Sequence, residues 1–191
     1  LKLIYNGWPN DDWCDNIGED SIIDYSPFND NDDANAYVGY MYGSTSSSAT
    51  YAQTHANTNP STIKEVIDHW YEDYMTEYTS QLEKVVFCND RSLSYGTGIG
   101  TTTTNYAATA RIYDDYSPTL SCPNASNDLF STSSASVGNK ALTYPVGLIT
   151  ADEIMLAGGS DYDNESYYLY TGDNWWAGSP EGFSYGYAYE F

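Results

Sequence analysis

The stretch LTYPVGLITADEIMLAGG, Leu142–Gly159, is the longest mainly apolar passage in a chain that is otherwise acidic and rich in tyrosine. Three roles are open to such a passage: it can span a membrane, carry catalytic residues or form part of a hydrophobic core. Pro145, Asp152 and Glu153 exclude a membrane-spanning helix, because a span needs a nearly uninterrupted apolar run without charges. The stretch is therefore predicted to organise a hydrophobic core.

Local signals within the stretch predict a short strand, a tight turn and a short helix. The strand is expected over Val146–Ile149 and the helix over about residues 150–157. Thr150 and Glu153 have the spacing of a capping box, which marks the start of the helix. The glycine pair at 158–159 marks its end. The residues expected on the buried side of this helix are Ile154, Met155 and Leu156.

The sequence NPSTIKEVIDHWYEDYM predicts the longest helix, over about residues 60–75. Two starts fit this segment. Asn59 can cap a helix that has Pro60 in its first turn, or Thr62 and Glu65 can form a capping box two residues later. The apolar residues that repeat at helical spacing are Ile63, Val66, Ile67, Trp70, Tyr71 and Tyr74. This face is expected to pack against the core, with acidic residues on the opposite face.

The remaining chain alternates loops with short candidate elements, and residues 1–191 are predicted to form one surface domain. Residues 1–35 form a loop-rich opening segment, and residues 92–140, dominated by Ser, Thr, Gly and Asn, form a long polar insertion at the surface. A second helical stretch is expected over Tyr78–Lys84. Strands are expected over Ala36–Gly43, Tyr51–His55, 166–172, 174–180 and 186–191, and Val85–Asp90 is expected to be a strand or a buried turn that carries Cys88. The predicted fold class is α+β, with small antiparallel sheets and long loops.

The charge balance restricts the partners of this chain. It carries 27 acidic residues against six Lys and Arg residues, which gives a formal net charge of −21. So few cations cannot neutralise a row of phosphates, which argues against nucleic acid and against anionic membrane surfaces. The expected partners are surface glycans, other proteins or further copies of the chain.

Three cysteines are present, Cys14, Cys88 and Cys122, and none belongs to a CxxC pair. We favour a disulfide between Cys88 and Cys122, with Cys14 left to pair with something outside this chain. An odd count fits a secreted chain with one bridge, and it also fits a cytosolic chain with three reduced thiols.

Motifs of common enzymes are missing from the sequence, including GxSxG, Walker, HExxH and dinucleotide-binding glycine patterns. The acidic run DYDNES starts like a calcium loop but lacks the glycine and glutamate that an EF-hand needs. It leaves open a looser calcium site formed by Asp161, Asp163 and Glu165. Two further acidic groups offer similar sites: Asp11, Asp12 and Asp15, and Asp30, Asp32 and Asp33.

Aromatic residues of the tail are the candidate binding surface, and they are Trp175, Trp176, Tyr185, Tyr187 and Tyr189. In a strand, alternate side chains point to opposite faces, so such a run serves a core on one face and a partner on the other. We expect core packing for a tryptophan of the pair. The tyrosines are expected to contact sugars or protein loops through exposed rings.

Several segments resemble a group of surface proteins of gut Firmicutes in which a prepilin-type N-terminus precedes this kind of domain. They are NAYVGYMYG at 35–43, HANTNPSTIKEVIDHWYEDYMTEYTSQLE at 55–83, FCNDRS at 87–92 and ALTYPVGLITADEIMLAGG at 141–159. The W…SP tail also resembles the C-type-lectin-like fold shared with formylglycine-generating enzymes. The arginine-containing glycine stretch and the paired catalytic cysteines of those enzymes have no counterpart here.

The resemblance implies an extracellular location and a C-type-lectin-like domain. Together with the sequence, it predicts a non-catalytic, pilin-like filament subunit that displays a binding face. The alternative is a monomeric adhesin or carbohydrate- or protein-binding module. The remote alternative is a formylglycine-type oxidase, in which Cys88 would be a reactive thiol. No cofactor is expected except calcium at the acidic clusters.

Overall fold

A computed structural model describes residues 23–159, 164, 167, 169–170 and 174–191. The fold class is α+β, as predicted. The helices are α1 (Tyr51–Thr54), α2 (Thr62–Tyr74), α3 (Ala107–Thr109), α4 (Ala125–Asp128) and α5 (Ala151–Leu156), with 3-10 turns at Asn35–Tyr37 and Thr76–Gln81 and a π-helical turn at Ala110–Asp114. The strands are β1 (Met41–Tyr42), β2 (Asn59–Pro60), β3 (Phe87–Cys88), β4 (Leu93–Tyr95), β5 (Thr104–Tyr106), β6 (Leu129–Phe130), β7 (Pro180–Ser184) and β8 (Tyr187–Glu190).

The strands form one main sheet and two strand pairs. The main sheet is antiparallel with the order β4-β5-β7-β8, and the pairs are β1-β2 and β3-β6. On one side of the main sheet, its residues Tyr106, Phe183 and Ala188 pack with Val38 in a small core. A larger core lies around Phe28, Tyr40, Met41, Ile63, Ile67, Phe130 and Leu142.

Helix α2 confirms the predicted long helix but not its start. Ser61 is the cap, and its Oγ accepts from the Lys64 N–H at 3.3 Å while donating to the Tyr40 carbonyl at 2.8 Å. Asn59 cannot cap the helix, because it pairs with Tyr42 in the β1-β2 ladder. The predicted apolar face of α2 is only partly correct. Ile63, Ile67 and Tyr71 are buried, whereas Tyr74 is 52% exposed.

Helix α5 confirms the predicted capping box. The Thr150 Oγ1 accepts from the Glu153 N–H at 3.0 Å, and the Glu153 carboxylate accepts from the Thr150 N–H at 3.0 Å. The predicted buried face is wrong, because Leu156 is 53% exposed while Ala151 and Asp152 are buried. Asp152 faces inward because its carboxylate pairs with the Arg111 guanidinium at 2.7 Å. This ion pair turns the Asp152 side of the short helix toward the interior.

The strand predicted over Val146–Ile149 is wrong, since these residues lie outside the strands. Their contribution to the core is nevertheless real. Val146 and Leu148 pack against the larger core, and Leu142 is buried within it. Side-chain packing and one backbone hydrogen bond, from the Gly178 N–H to the Ile149 carbonyl at 2.7 Å, therefore hold this segment in place of a strand ladder.

Three further predictions about elements near the N-terminal half need correction. Residues 51–54 form helix α1 and not a strand, because Thr50 and Gln53 close a capping box. The strand predicted over Ala36–Gly43 is reduced to Met41–Tyr42, after the 3-10 turn at residues 35–37. The helix predicted over Tyr78–Lys84 is a 3-10 turn at Thr76–Gln81.

Residues 92–140 are not merely a surface insertion, because they supply β4, β5 and β6 and bury large side chains. Tyr106 and Phe130 are both 0% exposed. Phe87 of β3 pairs with Phe130 of β6, which brings the segment into the larger core. The predicted disulfide between Cys88 and Cys122 is present, with Cα atoms 5.7 Å apart. That residues 1–191 form one domain stays a prediction.

The tail confirms one of its three predicted strands. Strand β8 lies within the predicted 186–191 range, whereas residues 174–179 form no strand and β7 begins only at Pro180. The prediction over 166–172 falls largely outside the described residues, and Tyr167, Leu169 and Tyr170 are not in a strand. Within the described part of the chain, no helix combines the length and the apolarity needed to cross a membrane.

Candidate functional site

The outer side of the main sheet carries a row of directly paired residues, although the register shifts between Leu93 and Tyr95 of β4 and between Pro180 and Gly182 of β7. Tyr95 of β4 is opposite Asn105 of β5, Asn105 is opposite Gly182 of β7, and Gly182 is opposite Tyr189 of β8. Directly paired residues of an antiparallel ladder project from the same face. The row therefore crosses the sheet from one edge strand to the other, over three strand spacings or about 14 Å.

A second row runs beside the first one and ends in the β7-β8 turn. Ser184 is opposite Tyr187, and Tyr185 lies at the tip of the turn. The exposed fractions are 65% for Tyr95, 94% for Tyr185, 55% for Tyr187 and 38% for Tyr189. We define the tyrosine face as these residues together: Tyr95, Asn105, Gly182, Ser184, Tyr185, Tyr187 and Tyr189.

The inner side of the same strands explains why the face is held in place. Phe183 and Ala188 alternate with the residues of the tyrosine face in β7 and β8 and pack on Val38 and Tyr106. Phe183 is 1% exposed and Tyr106 is 0% exposed. Because alternate residues of one strand anchor the core, the tyrosines are presented from a fixed backbone.

The turn that carries Tyr185 has an unusual backbone for a bulky residue. Tyr185 and Gly186 have φ angles of 51° and 88°, and Ser184 pairs with Tyr187. These values describe a two-residue type I′ turn, in which Asn is the usual first central residue. A left-handed conformation is unfavourable for a tyrosine. A strained residue that is almost fully exposed indicates a role in contact rather than in folding.

We expect Tyr185→Asn to stabilise the protein by about 1 kcal/mol, because asparagine tolerates the left-handed conformation. Chemical denaturation measures the free energy of unfolding of both proteins. Tyr25→Asn is the matched control, because Tyr25 is 87% exposed and is not among the residues with positive φ. An equal gain at both sites, or no gain at Tyr185, would contradict the assignment of strain to this turn.

A buried carboxyl group lies under the tyrosine face. Glu190 of β8 accepts a hydrogen bond from the Gly39 N–H through Oε1. Its Oε2 is buried, and none of the residues that the structure describes hydrogen-bonds to it. Burial raises the pKa of Glu190 well above its usual range, against smaller lowering effects of the Gly39 hydrogen bond and of Arg91. The ionised form is therefore unfavourable in the folded protein.

Glu190→Gln is expected to stabilise the protein at neutral pH by about 1–3 kcal/mol, because glutamine keeps an acceptor for the Gly39 N–H and removes a carboxyl whose ionised form is unfavourable in this buried position. Because the pKa is raised, the folded state binds the proton more tightly than the unfolded state. The wild-type contribution of Glu190 is thus most favourable below the unfolded pKa and is lost as pH rises through the folded pKa.

Urea denaturation of both proteins across a range of pH tests this expectation. The difference in unfolding free energy between wild type and variant should grow as pH rises and then level off. A difference that is independent of pH would show that Glu190 keeps an ordinary pKa.

The tryptophans of the predicted binding surface lie outside the sheet. Trp175 and Trp176 are 39% and 37% exposed in the segment before β7. The Trp176 ring contacts Phe28 edge-on at 5.7 Å between centroids, and its Nε1–H donates to the Ser26 carbonyl at 2.9 Å. Trp176 thus packs at the border of the core, which agrees with the packing role expected for one tryptophan.

Tyr95 and Asn105 were missed by the sequence reasoning, although they complete the row. Each stands in a short strand of three residues, LSY and TNY, inside the polar segment. The buried-exposed-buried pattern of β5 is a signal of alternation. Its pairing with β7, 77 to 79 residues further along the chain, leaves no local signal.

Most of the residues predicted to bind calcium lie outside the described part of the chain. Asp161, Asp163 and Glu165 lie outside the described residues, as do Asp11, Asp12, Asp15 and Cys14. Asp30, Asp32 and Asp33 are exposed. In the described ranges, no three His, Cys, Asp or Glu side chains come together in a group suited to a metal ion. The calcium hypothesis therefore rests on the sequence alone.

A small cleft beside the disulfide is the other polar site. Arg111 lies between two acids, donating to Asp90 at 2.8 Å and to both oxygens of Asp152 at 2.7 and 2.8 Å. The cleft encloses about 200 Å³, below the roughly 300–1,000 Å³ typical of small-molecule sites. Because the guanidinium is already paired with carboxylates, it has little capacity for an anionic ligand. The tyrosine face is the stronger candidate site.

Comparison of this chain with protein-family models, curated proteins and solved structures finds no match. The pilin-like and C-type-lectin-like relationships therefore stay predictions.

Proposed function

We propose that this protein is a non-catalytic extracellular binding module that attaches to its partner through the tyrosine face. The observation that carries the proposal is the pairing of Tyr95, Asn105, Gly182 and Tyr189, which puts exposed side chains from separated parts of the chain in one row across the buried Gly182. Tyr, Asn, Ser and Gly are residues that recur in surfaces evolved for recognition, because rigid amphipathic rings combine there with adaptable polar groups.

The extracellular location is supported by the Cys88–Cys122 disulfide, since such bonds persist in oxidising compartments. The non-catalytic role is supported by the surroundings of the perturbed carboxyls. Asp128 is 0% exposed and paired with Arg91, and the Glu190 Oε2 is buried. Both carboxyl groups are buried, so they do not reach a substrate.

Binding to cells tests the proposal directly. We expect the fluorescently labelled protein to bind the surface of cultured epithelial cells, and the double variant Tyr187→Ala/Tyr189→Ala to lose at least about 2 kcal/mol of binding free energy, as hot-spot residues do. Tyr25→Ala is the matched control, because this tyrosine is exposed but lies before the first strand. Flow cytometry over a concentration series gives the affinities. Equal binding by the double variant and the wild type would refute the role of the face.

A filament subunit is the second candidate, and the edge of the main sheet favours it. Among the described residues, strand β4 pairs only with β5, and its three residues Leu93, Ser94 and Tyr95 are all exposed. An uncovered edge strand can accept a strand from a neighbouring copy. Filaments in electron micrographs of the purified protein, formed more readily as salt screens the charge of −21, would favour this role over that of a monomeric adhesin.

A further inference from the structure

We infer that the occupant of the tyrosine face is an uncharged oligosaccharide of pyranose rings. This inference rests on the proposed function, and it adds the chemical class of the ligand. It starts from the charge of the face, which differs from that of the chain as a whole.

The tyrosine face consists of Tyr, Asn, Ser and Gly only, in a chain with a net charge of −21. The two carboxylates of strands β7 and β8 belong to the other side. Glu190 accepts from the Gly39 N–H there, and Glu181 is close enough to raise the pKa of Glu190 by its charge. None of the residues that define the face carries a carboxylate, and the exposed Asp32 lies beside β8, where its carbonyl accepts from the Ala188 N–H at 2.7 Å.

An anionic ligand is opposed by the field of the whole protein. Sulfated, phosphorylated or uronic-acid glycans would approach a body with 27 acidic residues and six basic ones. None of the residues of the face supplies a positive charge that could compensate for this repulsion. A second copy of the chain meets the same repulsion. Charge complementarity thus selects a neutral partner.

The shape of the face favours a sugar chain over a peptide. Tyr95 and Tyr189 stand about 14 Å apart at the two edges, with the small residues Asn105 and Gly182 between them. Gly182 is buried, and an added Cβ there would lie 2.8 Å from the Thr104 carbonyl oxygen, so this position of the row accepts no side chain. The two edge rings are therefore separated by residues smaller than tyrosine.

Hydrogen bonding separates the two classes of ligand. The backbone N–H and C=O groups of a sheet lie in its plane, so an extended peptide on the face finds no main-chain ladder. A pyranose ring needs none, because its C–H side stacks on an aromatic ring while its hydroxyls bond to polar side chains. The exposed amide of Asn105 offers both a donor and an acceptor in the middle of the row.

The test uses isothermal calorimetry with defined glycans. The probes are neutral cello-, manno- and laminari-oligosaccharides, with oligogalacturonate as the anionic counterpart. We expect at least one neutral probe to bind and its affinity to fall about tenfold or more, equal to the loss of one good contact, in Tyr95→Ala and in Tyr189→Ala. Tyr25→Ala should bind like wild type, and added salt should leave the affinity of the neutral probe unchanged.

Three results would overturn the inference: no binding of any neutral probe, tighter binding of the anionic probe, or an affinity that is the same in the Tyr95 and Tyr189 variants as in wild type. Cell binding separates this failure from failure of the proposed function. Periodate treatment of the cells, which destroys vicinal diols of sugars, should abolish binding through the tyrosine face. Binding that survives periodate, is lost after protease treatment and still needs the tyrosines would keep the proposed function and refute the glycan.

Discussion

Asp128→Ala should destabilise the protein by about 3–5 kcal/mol, the largest effect expected of a single substitution here, because it leaves a buried charge without its partner. Arg91 and Asp128 are 1% and 0% exposed. Arg91 Nε donates to Asp128 Oδ1 at 2.7 Å, and the Arg91 backbone N–H donates to Oδ2 at 3.0 Å. Without the carboxylate, the guanidinium stays in the core with only neutral acceptors.

Those neutral acceptors make Arg91 a junction between distant segments. Its Nη1 donates to the Met41 carbonyl at 2.6 Å, and its Nη2 donates to Asn57 Oδ1 at 2.8 Å. The guanidinium lies 5.9 Å from the centre of the Phe130 ring. One side chain thus ties β1, the loop before β2, and β6 together. Its loss is expected to weaken the whole fold and not a local region.

The pair itself is costly to bury, which makes a double variant informative. Burial raises the pKa of Asp128 although the charge and hydrogen bonds of Arg91 lower it, so desolvation outweighs attraction. Arg91→Met/Asp128→Leu should therefore be less destabilised than the sum of the two single variants, with a coupling of about 1–3 kcal/mol. Urea unfolding of all four proteins measures that coupling.

Asp33→Ala is the matched control for the loss of a carboxylate, because Asp33 is exposed. Its unfolding free energy should stay within about 0.5 kcal/mol of wild type. Equal stability of Asp128→Ala and Asp33→Ala would mean that the ion pair does not form in the folded protein.

Loss of the disulfide in Cys88→Ser/Cys122→Ser should cost about 4 kcal/mol in the chain-entropy account, because the bond closes a loop between cysteines 34 positions apart. This loop includes β4 and β5, half of the main sheet. Cys88 also pairs with Leu129 in the β3-β6 ladder. The unbridged chain must therefore order half of the main sheet from a freer unfolded state.

Thermal unfolding of the wild type with and without a reducing agent provides the parallel measurement. Reduced wild type and the double serine variant should unfold at the same, lower temperature. Cys14→Ser is the control, since it keeps both partners of the bond. Mapping of disulfide-linked peptides should recover the Cys88–Cys122 pair, and its absence from the oxidised native protein would contradict the assignment.

The elements that the sequence predicts well are those whose signals are local. The capping box of Thr150 and Glu153 joins residues three positions apart, and helix α2 follows from apolar spacing within four residues. Strand β8 follows from alternation of tyrosine with smaller residues. The neighbours that create each of these signals lie within the element itself.

Elements whose neighbours are remote could not be predicted in the same way. Pairing with Tyr42 removes Asn59 from the cap of α2, and Arg111 turns Asp152 of α5 inward. The apolar spacing of α2 does not predict that Lys64 is buried, yet this residue is only 3% exposed and forms an ion pair with Asp68. Each of these outcomes depends on a residue that comes from another segment or on the depth at which the helix is buried.

The sequence by itself determined the α+β class, the presence of helices α2 and α5, the negative charge and the tyrosines of the last hairpin, because all of these depend on composition or on near neighbours. Only the tertiary structure decided that Tyr95 and Asn105 join Tyr189 in one row, and that Arg91 meets Asp128. The register of an antiparallel sheet and the partner of a buried charge are chosen by packing between segments far apart in the chain, where no local pattern records them.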